Sequence, residues 1–268
     1  MGSQDKKVDI FENFEDADFF IPFYLDYKYG TMCVTERKKE ENTMNDNKFF
    51  LTETDNNAVS LSDSNYINNK GANLYRPDTY MEAVEYYRLA AAMGNVYSIS
   101  NLGYCYLYGR GIEANLSLAL AYFRVAANKG DVDAAYKLGD VYGNDKWGIK
   151  DREMSIYYYR MAASFVIGTE WENGYVVAYC TELQKYPSLC YALGRELSLG
   201  GDMCTDIDCA YQFLKHAEKG YKTKLANGNE MYASSYQGVI KLIADSQFDD
   251  IREQYDELFD DDDLEDSF

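Results

Sequence analysis

With 45 Asp and Glu against 26 Lys and Arg in 268 residues, the chain carries a formal charge of −19. That balance argues against nucleic acid, phosphate-rich ligands and anionic membrane as partners. A single histidine argues against catalytic triads and zinc centres, and without any run of about eighteen apolar residues no membrane-spanning helix is expected.

Residues 1–55 read as an N-terminal extension. Met1 to Asp18 has no long apolar run, so no secretory leader is expected, and Lys6 stands where a myristoylation signal wants Ser or Thr. Phe11 to Tyr29 is acidic and aromatic together, with Phe19-Phe20-Ile21-Pro22-Phe23-Tyr24-Leu25 at its centre. It has two candidate uses: to cover the open end of a repeat array, or to serve as an exposed linear motif. Arg37 to Asn47 is a charged, Asn-rich linker.

The middle of the chain repeats itself. Tyr86-Tyr87-Arg88-Leu89-Ala90-Ala91 returns as Tyr122-Phe123-Arg124-Val125-Ala126-Ala127 and as Tyr158-Tyr159-Arg160-Met161-Ala162-Ala163, each copy 36 residues after the last. Leu102-Gly103-Tyr104-Cys105-Tyr106 returns, again 36 on, as Leu138-Gly139-Asp140-Val141-Tyr142. A period of this length is that of a solenoid, in which each unit buries its apolar face only against a stacked neighbour. Gly and Ala at helical spacing allow close helix packing, Gly94 and Gly130 suit left-handed helix ends, and Gly109-Arg110-Gly111-Ile112 separates the two helices of a unit. Asn56 to Gly71 is expected to form the first helix of a worn first unit. Counting back 36 from Gly103 reaches Ile67, so the glycine is expected to be lost there, and Pro77 suits the start of the paired helix.

The order Leu-Gly-x-x-Tyr, Gly-x-Gly-Ile, Ala, Tyr-Phe-Arg, Ala-Ala, x-x-Gly over residues 96–130 resembles the Sel-one-like repeat, a relative of the tetratricopeptide repeat. Residues 132–163 depart from it at Asp145-Lys146-Trp147-Gly148 and at Ser155, which stands in place of Ala. The resemblance implies an all-α fold, a right-handed α/α solenoid of about four helix-turn-helix repeats with terminal extensions, used as a protein-binding scaffold.

After Ala163 the period slips. Leu193-Gly194 lies 55 residues beyond Leu138-Gly139, which implies an insert of about nineteen residues near 164–186, expected to lengthen the preceding helix and add a turn or short helix. The repeat region then spans 56–220, its last unit running from Ser188 to Gly220. Residues 221–259 read as one or two capping helices and 260–268 as an acidic disordered tail.

The search for chemistry yields little. His216 replaces the first Ala of an Ala-Ala pair, which suits packing rather than catalysis. Six cysteines, at 33, 105, 180, 190, 204 and 209, form no Cys-x-x-Cys and no zinc spacing, and they suit reduced thiols in a cytoplasmic protein. Asp260 to Asp263 lacks the Gly and distal Glu of an EF-hand loop, and Gly109-x-Gly111 follows no strand as a phosphate cradle would. No enzyme activity, cofactor or metal is expected.

What remains is surface. In a solenoid of this class the first helices line the concave face, and with Leu102 and Tyr106 in the core the exposed stripe is Tyr97, Asn101, Tyr104 and Tyr108. The next unit contributes Asp133, Lys137, Asp140 and Asn144, and the last contributes Ser188 and Arg195. Tyrosine suits interfaces, although among 27 tyrosines many must fill seams between repeats, as Tyr86, Tyr122 and Tyr158 are expected to do. The leading expectation is an adaptor that holds a protein or peptide on this stripe. The alternative is an acidic inhibitor or immunity-type protein neutralising a basic enzyme, since residues 249–268 hold eleven acids and one base, Arg252.

Overall fold

The computed structural model describes residues 49–168, 177–199 and 207–260. Among them stand eleven α-helices and no strand. They are α1 (Glu53–Ser60), α2 (Ser64–Asn73), α3 (Tyr80–Ala92), α4 (Val96–Tyr108), α5 (Leu116–Asn128), α6 (Val132–Gly143), α7 (Arg152–Ile167), α8 (Pro187–Ser198), α9 (Ile207–Ala226), α10 (Ala233–Ile243) and α11 (Asp249–Asp260). Four pairs stack in order, α2 on α3, α4 on α5, α6 on α7 and α8 on α9, with α10 and α11 packed against α9. The protein is an α/α solenoid.

The helix starts are written into the repeat. Asn95 and Asp131 cap α4 and α6, and Asn115 and Asp151 cap α5 and α7, each side chain accepting a bond from a backbone N–H three residues on. The turn inside a unit is closed by Asn115 N–H donating to the Tyr106 carbonyl at 2.9 Å, and by Asp151 N–H donating to Tyr142 at 2.8 Å. Gly111 takes φ +73° in that turn, and a Cβ there would meet the Tyr80 carbonyl, so only glycine fits.

A close approach repeats in every pair. A Cβ on Gly103 would lie 2.7 Å from the Phe123 ring, on Gly139 2.5 Å from Tyr159, and on Gly194 2.8 Å from Leu214. In the first pair the glycine is not lost: it is Gly71, whose Cβ would lie 2.9 Å from Tyr87. The count of 36 misses it because α2 ends three residues earlier than α4 does in its unit and the segment after it is one residue shorter, so Gly71 precedes Gly103 by 32, as Asp63, the cap of α2, precedes Asn95. Nor is Asn56–Gly71 one helix. Ser62, with φ 58°, breaks it into α1 and α2.

Within a unit, stacked tyrosines recur with the period, and an arginine joins one unit to the next. Tyr106 lies on Tyr122 at 5.4 Å and Tyr142 on Tyr158 at 5.8 Å, and Arg124 donates to the Tyr142 hydroxyl at 2.6 Å. Ser155, in its alanine position, stays buried by donating to the Gly139 carbonyl at 2.7 Å. At the N-terminal end, buried Asp55 accepts from Lys70 at 2.6 Å and from the Tyr86 hydroxyl at 3.0 Å. Burial alone would raise its pKa, yet bonds from Lys70, Thr52 and Tyr86 outweigh it and hold the carboxyl at about 2.

The insert lengthens α7 to Ile167 and adds a 3₁₀ turn at Thr181–Lys185. This turn presses on α9 where Gly220 has no side chain; a Cβ there would meet the Gln184 carbonyl. Gly220 therefore does not end its helix. It admits the insert, and α9 runs on to Ala226.

His216 is fully buried in α9. Its Nε2–H donates to the Val177 carbonyl at 2.5 Å, and its ring lies edge-on to Phe259 of α11 at 4.9 Å. Burial holds its pKa down to about 4, below the ordinary value of 6.5. The neutral ring therefore contributes stability above pH 6.5 that is lost as pH falls toward 4, by about 3 kcal/mol. In urea melts at pH 7 and pH 4.5, the advantage of the wild type over His216→Gln is expected to shrink at the lower pH. An advantage independent of pH would refute this account.

Candidate protein-binding face

The predicted stripe divides into three environments. Tyr97 is 64% exposed at the start of α4, while Asn101 turns to α2 and donates to the Asn68 side chain at 3.2 Å. Tyr104 is half-buried rather than exposed, its ring edge-on to Phe123 at 5.0 Å. Tyr108, 40% exposed, stacks beyond it at 6.4 Å and meets Trp147 at 6.1 Å. Arg110 lies over the Tyr108 ring at 4.9 Å, and Lys146 lies over Trp147 at 4.5 Å. Lys146 also lies over the Tyr108 ring at 5.9 Å, which with the Trp147 contact ties the end of α4 to the next unit, whereas Arg110 ties the turn back to Tyr75 and Tyr80 of the preceding one.

The rest of the stripe is partly engaged within the chain. Lys137 pairs with Asp140 at 2.8 Å, and Asn144 caps the 3₁₀ turn Asp145–Trp147. Arg195 pairs with Glu196 at 3.0 Å, and Glu196 also holds Arg152 at 3.1 Å.

Four of the predicted residues, Tyr104, Asp133, Lys137 and Ser188, converge on a recess of about 220 Å³. Tyr136 of α6, Lys185 and Tyr186 of the insert, Lys224 at the end of α9 and Tyr232 beyond it also stand in its walls. Sequence reasoning missed these five. Tyr136 neighbours the stripe without belonging to its four-and-three spacing, and the others lie in segments where the repeat count gives no register.

The recess has a defined electrostatic character. Lys137 Nζ lies over the Tyr136 ring at 5.5 Å and the Tyr104 ring at 5.7 Å, and Lys224 lies over Tyr232 at 5.3 Å. Asp133 keeps an exposed edge, but the walls around its carboxylate raise its pKa, with Lys224 and Lys137 opposing that rise. Burial also raises the hydroxyl pKa of Tyr104 and Tyr136, with Asp133 adding to the effect at Tyr104. Tyr186 is raised in the same way by burial, then by Asp133.

Nothing in these groups makes a nucleophile. Burial pushes the Cys105 thiol up to about 12 and raises the Cys190 thiol as well, so neither is a thiolate near neutrality. Among the described residues no cluster of His, Cys, Asp and Glu could hold a metal ion, and no helix is long and apolar enough to cross a membrane. Cys33, Cys204, the Phe11–Tyr29 segment and the tail from 261 lie outside the described residues.

A stack of helix pairs with a lined inner face belongs to the α/α repeat proteins, and the comparisons narrow the class. The Sel1 repeat family matches residues 60–95, 96–131 and 132–164, so the chain carries three Sel1 repeats. The fourth pair, α8 and α9, lies beyond the match and repeats the glycine contact. Repeats of this family commonly serve as scaffolds for protein–protein interaction. A Sel1 repeat protein from Oxalobacter formigenes is 26% identical with a TM-score of 0.39, over 57% of this chain and 95% of that one. A protective antigen of uropathogenic Escherichia coli strains displaying an SLR fold is 17% identical with a TM-score of 0.38, over 76% of this chain and 55% of that one. No curated protein matches.

Proposed function

We propose that the chain is a non-enzymatic adaptor that holds another protein or a peptide on the face lined by α4, α6 and α8. The observation that carries this reading is the recess, whose walls come from three successive helix pairs and the segments between and after them. A small chemical site needs no such span, whereas an extended partner crossing several units does. Tyrosines with accessible edges at Tyr97 and Tyr108 supply contact area at low entropic cost.

The test uses the exposed tyrosines, because Tyr104→Ala would also remove packing from Phe123. Capture of the partner by wild type, by Tyr97→Ala with Tyr108→Ala, and by Tyr157→Ala on α7 is compared at equal thermal stability. The double variant is expected to lose about tenfold or more in affinity, the loss of one good interface anchor, and Tyr157→Ala little. Loss confined to Tyr157→Ala would place the interface elsewhere.

The inhibitor reading rests on the acids of 249–268. Two of the described ones are engaged internally: Asp249 pairs with Arg252 at 2.9 Å and Asp256 with Lys215 at 3.1 Å. Deletion of 261–268 separates the two readings, since an inhibitor would lose association rate with a basic target and a groove-binding adaptor would not.

A further inference from the structure

In a chain of charge −19, the recess gathers three lysines against one carboxylate. Lys137 comes from α6, Lys185 from the 3₁₀ turn of the insert and Lys224 from the end of α9, so three separate elements deliver them to one place. Four tyrosines, Tyr104, Tyr136, Tyr186 and Tyr232, stand between them. The cations of Lys137 and Lys224 rest over three of these rings, so those ring faces already hold a positive charge. A basic side chain entering here would have to displace them. An acidic one would meet ammonium groups and phenol hydroxyls, all of which donate.

Asp133 marks the place of that charge. It lines the recess, and both Lys137 and Lys224 act on its carboxylate. Of the lysines' other partners, Asp140 and Glu182 pair with Lys137 and Lys185 from outside the lining. Among the described residues Lys224 forms no such pair; its contact is the Tyr232 ring, and its ammonium is the donor an incoming carboxylate would engage.

We propose that this recess receives an acidic, extended segment of the partner protein, one Asp or Glu of which pairs with Lys224 beside Lys137 and takes over the place of the Asp133 charge. The inference rests on the adaptor reading and names the chemistry of its partner. It also inverts the role of Asp133, which becomes a competitor of the ligand instead of a contact to it.

Three labelled octapeptides, alternating Gly with Glu, Lys or Ser, are titrated with the full chain and followed by fluorescence anisotropy. The Glu peptide is expected to bind and the Lys and Ser peptides not to. Lys224→Met, alone and with Lys137→Met, is expected to weaken the Glu peptide about tenfold or more, as loss of a charge-assisted contact does. Asp133→Asn is expected to strengthen it several-fold, and thermal melts show that each variant is folded. Tighter binding of the Lys peptide, no binding of the Glu peptide up to about 1 mM, or an Asp133→Asn variant no stronger than wild type would each overturn the proposal. If any of these occurs while the Tyr97 and Tyr108 variant still loses its partner, the acidic chemistry is wrong and the face is right; if that variant also binds normally, both fail.

Discussion

Ala126→Arg is expected to abolish the cooperative thermal transition or to lower its midpoint far below that of the wild type. Ala126 lies on α5 with no exposed surface, in the same core cluster as Ala134, Ala135 and Leu138 of α6. Its carbonyl also accepts the N–H groups of Lys129 and Asp131 that shape the turn into α6. An arginine there has neither room nor a counter-ion, so the α5–α6 contact must open or the charge must be desolvated unpaired. Either costs about 4 kcal/mol or more, a large part of the 5–15 kcal/mol typical of a whole domain. Asn128→Arg, two residues along on the exposed side of the same helix, is expected to change stability by no more than about 0.5 kcal/mol. Equal melting of the two variants would show that the repeat register is wrong.

Phe123→Ala is the second large effect and joins the core to the recess. The ring is fully buried, fills the space left by Gly103 and supports Tyr104 edge-on at 5.0 Å. Its removal is expected to cost about 3–5 kcal/mol through lost burial and the cavity left behind. Gly103→Ala overpacks the same contact and is expected to cost about 1–3 kcal/mol in the wild type, but less in the Phe123→Ala background, where its methyl has room. Additive costs would mean that the two residues do not touch. Since Tyr104 lines the recess, Phe123→Ala is also expected to weaken partner binding in the fraction that stays folded, whereas Asn128→Arg is not.

Much of the fold was legible because a stacked repeat must solve one packing problem several times. The capping positions Asn95 and Asp131, the Ala-Ala pairs and the Gly103 and Gly139 contacts recur at 36 because each unit presents the same surface to its neighbour. Where the interval changed, counting failed. Gly71 falls out of the count because α2 and the segment after it together lack four residues, although the steric demand of Tyr87 for a glycine persists. Gly220, where the last unit is expected to stop, lies inside α9, because a backbone from the insert requires the space.

The candidate site divides along the same line. Tyr104, Asp133 and Lys137 could be placed on one face from helical spacing and the 36-residue period, since residues three and four apart share a side and the period carries that side to the next unit. Their partners could not. Lys185, Tyr186, Lys224 and Tyr232 belong to an insert and to a helix that overruns its unit, and nothing local relates them to α4 or α6. By itself, then, the sequence determined the helix pairs of the regular repeats and their order of stacking, because these follow from periodicity and from residue size. The meeting of three lysines and four tyrosines was decided only by the tertiary structure, because it depends on where α9 and the insert come to rest against the repeats.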